Sequence, residues 1–222
     1  MRIIRSGTVL MFVLVALYGV ISGQNSLAGQ RGGVAPAAAP AQRGGRGGAP
    51  VIQTMTLTTT AWTDGGIIPL RYTQAGAELS PMIQWSGAPQ GTVSFVLTFH
   101  DADTAAANST DGLLHWVVWN IPATATNIAQ GQPDGFELEN GMRQISVSGF
   151  RYRGPGAPAA GPLHHYVMEV YAVDTMLDIK VTMPGPQEPN PNVQAVRTSI
   201  MQAMAGHVRG KGAYVGLFHR PS

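Results

Sequence analysis

His115-Trp-Val-Val-Trp-Asn-Ile-Pro122 decides how the chain folds. Its residues are mostly β-branched or aromatic, the types that pack well on a pleated surface. Proline closes the run and has no N–H with which to continue a ladder. Together with Leu113 and Leu114, this predicts a buried strand over residues 113–121. Trp116 and Trp119 are an odd number of residues apart, so they belong on opposite faces of that strand. Residues 93–100, VSFVLTFH, have the same character and predict a central strand.

Working outward, the domain is rich in strands. Residues 55–61 alternate threonine with other types and predict a first strand. Gly65-Gly66 predicts a turn, and residues 67–72 a second short strand. Residues 82–85 precede a turn signal, Gly87-Ala88-Pro89-Gln90-Gly91. Residues 102–112 are small and polar and are expected to form a loop. Residues 123–143 are expected to be mostly connection, and the Gly/Pro-rich residues 149–161 a second loop. In residues 165–174, HYVMEVYAVD, Tyr166, Met168, Val170 and Ala172 fall on one face. Residues 193–205 predict a helix, preceded by Pro191 and ended by Gly206. Residues 214–218 predict a last strand. Strands with irregular connections and one late helix point to a mainly β fold, an antiparallel β-sandwich with one or two peripheral helices. A doubly wound parallel sheet would need regular strand–helix alternation, and there is none.

The first 50 residues do not look like part of this domain. Arg2 and Arg5 precede an apolar stretch from about Gly7 to Ile21, and Ser26-Leu27-Ala28 offers small residues at a cleavage site. Residues 1–28 therefore read as a signal peptide. A retained anchor is the alternative, but the run is short against the roughly 20 apolar residues of a spanning helix. Residues 29–50 contain only Gly, Gln, Arg, Val, Ala and Pro and read as a disordered linker. Residues 51–222 form the domain. The expected location is outside the cytoplasm, periplasmic or secreted.

Charge and composition exclude several functions. The chain carries a net +2, but five of its 14 basic residues lie at Arg2, Arg5, Arg31, Arg43 and Arg46. The domain keeps nine against all 12 acids and is net acidic. A nucleic-acid binder usually shows a basic patch; Arg151 and Arg153 are the nearest approach to one. The chain has no cysteine, so disulfides, thiolate nucleophiles, Cys-type zinc sites and cysteine-linked lipid anchors are all excluded.

Acid–imidazole chemistry is concentrated at three strand ends: Asp101-Ala-Asp103, His115, and His164-His165-Tyr166. Two carboxylates separated by one residue point the same way on extended chain. His164 and Tyr166 share a face, and His165 points away. Taken singly, each segment also fits an ordinary structural role. A loop aspartate commonly caps backbone N–H groups, and a histidine beside apolar residues is commonly a satisfied structural one.

In order and spacing the three segments resemble the phosphatidylethanolamine-binding protein family, in particular its bacterial Raf kinase inhibitor-like subgroup. The family pattern runs D-P-D-A-P, H-W-V-V-x-N-I-P, G-P-P and H-R-Y-x-F-x-L-Y-A-L-D. This chain has DADT at 101–104, HWVVWNIP at 115–122, GPGAP at 154–158 and HHYVMEVYAVD at 164–174. AMAGHV at 203–208 is similar to a run in bacterial members. It departs from the pattern at Ala102, Thr104 and His165, and in the broken G-P-P run.

The resemblance implies a β-sandwich with a small pocket for phosphate or a phosphorylated headgroup. By position, Asp101, His115, His164 and Tyr166 would contact the ligand, Gly154 and Pro158 would shape the wall, and Asp103 would support the loop. Imidazoles and a phenol would donate to phosphate oxygens. No lysine or arginine stands at the centre, so binding should strengthen as pH falls toward the histidine range. The implied role is non-enzymatic binding, with a protein partner at loops 102–112 and 149–163 and a homodimer as further expectations. No cofactor, resident metal or nucleic acid is expected. The alternatives are a metal-assisted hydrolase built on the same Asp/His cluster, or an interaction module with a vestigial pocket. The hydrolase lacks an H-x-x-x-H spacing and a base beside Ser109. Inhibition of a cytosolic kinase does not follow for an exported chain.

Overall fold

The computed structural model describes residues 51–106, 110–183 and 192–222. The expected signal peptide and linker, residues 1–50, lie outside the described residues, as do Pro191 and the tip of the 102–112 loop. Ten strands are described: β1 (Gln53–Thr54), β2 (Thr56–Thr58), β3 (Gly66–Ile67), β4 (Ile83–Ser86), β5 (Ser94–Ala105), β6 (Gly112–Pro122), β7 (Asn127–Ile128), β8 (Arg143–Ile145), β9 (His164–Val173) and β10 (Val208–Phe218). One α-helix, α1 (Val193–Met204), lies among the described residues.

The strands form two sheets. The larger has the order β1-β10-β9-β5-β6-β8, with β3 also paired to β10. The smaller has the order β2-β4-β7. Pairing is antiparallel except where β1 and β3 meet β10. The long apolar strands β5, β6 and β9 are central, as their composition predicts.

Both faces of the large sheet are covered, which explains why β6 reads as a continuous apolar run rather than an alternating one. On the inner face Phe95, Leu97, Phe99, Trp116, Val118, Tyr166, Met168 and Val170 pack with Leu57, Ile83, Trp85 and Ile128 of the small sheet. On the outer face Val96, Val117, Trp119 and Val173 pack with Val196, Ile200 and Met204 of α1. Burying each such aliphatic side chain contributes about 1.5–3 kcal/mol. Trp116 and Trp119 do lie on opposite faces. Asn192 caps α1 by accepting the Ala195 N–H at 3.0 Å. Gly206 follows the helix with φ 83°, the left-handed position that glycine takes without strain.

Several boundaries differ from the sequence expectation. The first strand is two strands. At Met55, whose N–H donates to the Lys211 carbonyl at 2.8 Å, the chain crosses from the large sheet to the small one. The second strand is only Gly66–Ile67; Pro69 cannot extend the ladder, and Leu70–Tyr72 form a 3-10 turn. The β5–β6 hairpin runs further than predicted, to Ala105 and from Gly112. Residues 123–143 contain β7, and β8 begins at their end. The last strand begins at Val208 instead of residue 214. Its start was hidden by Gly210 and Gly212, where a side chain has no room: a Cβ at Gly212 would lie 2.7 Å from the Met55 carbonyl oxygen.

Candidate functional site

Asp101, His115 and Tyr166 gather at one end of the large sheet through strand register. Asp101 of β5 sits opposite Tyr166 of β9. His115 arrives by a β-bulge. Phe99 pairs with Trp116 and His100 with Leu114, so His115 is the extra residue between them. Strict alternation from Trp116 would turn His115 toward α1; the bulge turns it inward. There its ring stands edge-on to Tyr166, centroids 5.1 Å apart at 87°, and 5.8 Å from Phe99.

Asp101 is buried, and three donors hold it. The His164 Nδ1–H donates to its Oδ2 at 2.8 Å, the Thr104 hydroxyl to the same oxygen at 3.0 Å, and the Asp103 backbone N–H to Oδ1 at 2.9 Å. The Tyr166 hydroxyl stands near enough for the Asp101 carboxylate to oppose loss of its proton. That hydroxyl accepts the N–H groups of Gly156 (3.1 Å) and Ala157 (3.0 Å), which ties the 149–161 loop to the sheet. Burial, against these two bonds, pushes the phenol up to about 12. The lone pairs of the phenol are thus taken up by the loop.

His115 Nδ1 lies 3.1 Å from the carbonyl oxygens of both Arg153 and Gly154. Both are acceptors, so Nδ1 carries the hydrogen. Its Nε2 is buried with no hydrogen-bond partner among the described residues. Burial pushes the ring down to about 4, against the raising effect of these carbonyls and of Asp101.

A cavity of about 100 Å³ opens here, lined by Asp101, His115, Pro158, His164 and Tyr166 of the expected set. Gly154 and Asp103 do not line it. Gly154 stands behind the wall, where its carbonyl also accepts from Gln74 Nε2 at 2.8 Å and its N–H meets Glu78 Oε1 at 3.0 Å. A Cβ there would lie 2.7 Å from the Tyr72 carbonyl oxygen, so only glycine fits. Asp103 turns out of the pocket past a register shift in β5. It accepts from both the backbone N–H and the ring Nδ1 of His165, and the backbone bond leads the forces holding its carboxyl below the usual range. Asp103 and Asp101 thus do not work as a pair. His165 faces away, as expected.

The cavity also has lining residues beyond the expected set. Gln74, Thr104 and Gly156 contribute, and so does Arg153, the cation that the sequence seemed to lack. Arg153 was visible as part of RYRGPGAP, but its partners come from elsewhere: Nη1 donates to the Ser148 hydroxyl at 2.6 Å, and Nε is buried without a partner among the described residues. Nothing in the sequence singles out Gln74. Asp101, Asp103 and His164 hold ligand atoms within 4.8 Å of one another, but those atoms are hydrogen-bonded to one another and to neighbouring groups. A larger cavity, about 670 Å³, lies beneath α1 with His100, Glu169, Tyr171 and Arg197 in its wall; none of the expected residues lines it.

The phosphatidylethanolamine-binding protein family model matches residues 58–219, a span that includes every strand from β3 onward and every residue of the pocket. The chain belongs to the phosphatidylethanolamine-binding protein family. A protein of Methanothermobacter thermautotrophicus named UPF0098 protein is 36% identical over 172 residues, 75% of this chain and 99% of its own. LppC of Mycobacterium tuberculosis, named as a lipoprotein, is 30% identical over 171 residues, 76% of each chain. Among solved structures, Escherichia coli YbcL, a member of this family, superposes with a TM-score of 0.58 at 22% identity, covering 75% of this chain and 98% of its own. A family homologue from Chlamydia trachomatis gives 0.60 at 25% identity, covering 76% and 99%. The two-sheet architecture is therefore the family's.

Proposed function

We propose that this family member is a non-catalytic binding module for a small oxyanion or the phosphorylated end of a larger molecule. One observation carries the reading. A cavity of about 100 Å³ is lined by a buried Asp–His pair, a second buried imidazole and an arginine. That volume suits a phosphate-sized group and leaves any lipid chain outside. Arg153, in the lining, supplies the cation. Asp101 holds His164 in one tautomer and orientation.

Calorimetry with inorganic phosphate and phosphorylethanolamine tests this. Heat saturating at one site, lost in Arg153→Met and His164→Ala with fold retained, is the expected result. A folded protein that gives no heat with either anion overturns it. A metal-assisted hydrolase would require Asp101, Asp103 and His164 to release their present hydrogen bonds. A stoichiometric metal in the purified protein would favour that reading instead.

An exported location is also part of the proposal. Its support is the N-terminal Arg-then-apolar pattern and a relative named as a lipoprotein. Lacking cysteine, this chain would be exported without that lipid attachment.

A further inference from the structure

One ring in the cavity wall carries a lone pair, not a donor, on its unpartnered nitrogen. His115 Nδ1 is held between two carbonyl oxygens at 3.1 Å each, which fixes the neutral ring with its hydrogen on Nδ1. Nε2 is then an acceptor only. It is buried, lacks a partner, and belongs to a ring that lines the cavity. The ring cannot readily turn over to offer a donor. Turning would place a carbon against both carbonyls, and the ring is packed edge-on to Tyr166 and Phe99. Nor does a second proton arrive in the neutral range, since burial holds the ring near 4.

The neighbouring groups bring no donor to this nitrogen, and His164, whose Nδ1–H goes to Asp101, adds a second acceptor nitrogen to the lining while its ring is neutral. The Asp101 carboxylate is itself an acceptor, already engaged by His164, Thr104 and the Asp103 N–H. The Tyr166 hydroxyl accepts from Gly156 and Ala157, and no hydrogen bond joins it to His115 Nε2. Arg153 is the one arginine or lysine of the lining among the described residues. A ligand therefore meets a guanidinium on one side and an unmatched lone pair on the other.

Resting on the anion-pocket reading above, we propose that the pocket selects oxyanions that still carry a proton. Hydrogenphosphate or a singly ionised phosphomonoester would donate its P–OH to His115 Nε2 and turn its ionised oxygens to Arg153. Sulfate has similar size and charge to hydrogenphosphate but brings no proton, so it would set an oxygen against the lone pair. A site built to receive a ligand hydroxyl rejects the analogue lacking it, because its own buried group is left unpaired.

The test compares three dianions with the whole protein: hydrogenphosphate, sulfate and fluorophosphate. The last replaces P–OH with P–F and otherwise keeps the shape. Titrations run above the ordinary histidine range, followed by calorimetry and by phosphorus and fluorine NMR. Hydrogenphosphate binding at least roughly tenfold tighter than both others is the expected result. Equal affinities for all three overturn proton selection while leaving the anion pocket standing. Binding of none overturns both. His115→Gln, whose amide can turn an N–H into the cavity, should bring the phosphate and sulfate affinities together, with thermal melting confirming that it folds. An unchanged ratio in that folded variant would show that His115 is not the selecting group.

Discussion

The Asp101 carboxylate and the His164 ring meet at 2.8 Å, Oδ2 to Nδ1, across the paired ends of β5 and β9. This contact sets the tautomer of His164 and helps satisfy a carboxylate that is only 3% exposed. It makes Asp101 the node of the site, since the Thr104 hydroxyl and the Asp103 backbone converge on the same group.

Asp101→Asn therefore does more than remove a charge. An amide NH₂ would confront donors that now find an acceptor. Chemical denaturation should show a loss of about 2–3 kcal/mol, and phosphate affinity should fall in the same variant. A stability equal to wild type would mean that the network carries little energy.

Tyr166→Phe tests the tie between loop and sheet. Without the hydroxyl, the Gly156 and Ala157 N–H groups lose their acceptor. The expected cost is about 1–3 kcal/mol. Faster amide exchange at residues 156 and 157, with little change in the sheet, would place the loss in the loop.

His115 predicts a pH dependence of stability. Its ring is held near 4 in the folded protein and sits at 6.5 in its ordinary state. The unfolded chain binds the proton more readily, so folding is fully favoured above about 6.5 and loses stability as pH falls toward 4. Over that window the loss attributable to His115 is about 3 kcal/mol. Denaturation midpoints of wild type and His115→Gln should converge as the medium is acidified; parallel curves would argue against a buried neutral ring.

Asn120 marks a second bulge in β6, between the pairs Phe95–Ile121 and Leu97–Val118. It has φ 55°, and its side chain clasps the Leu177 backbone from both sides, donating to O at 3.0 Å and accepting from N at 2.8 Å. Asn120→Ala should cost about 2–3 kcal/mol, through two lost bonds and a strained backbone. Asn120→Gly restores the backbone freedom but not the bonds, so it should fall between Ala and wild type in thermal melts.

Much of this was legible in one dimension. The apolar strands β5, β6 and β9 announce themselves by composition, and α1 by its flanking Gly206. The same-face pairing of His164 and Tyr166 needed only the period of two. The short strands were harder to read. β1, β3 and β7 each have two residues, too few for any periodicity. The first half of β10 is punctuated by glycines that admit Met55 at close range.

The roles of individual groups were a matter for the tertiary structure. A run as evenly apolar as LLHWVVW contains no alternation from which to read a register, so the bulge that turns His115 inward was invisible. Arg153 enters the pocket because its loop is pinned by Tyr166, Gln74 and Glu78, residues from two separate parts of the chain. The sequence alone settled the family, the central strands and the set of acids and imidazoles at one end of the sheet, since these depend on residue type and spacing. Which of those groups gives a proton, which receives one and which stays outside depended on the burial and hydrogen bonding that only the folded chain creates.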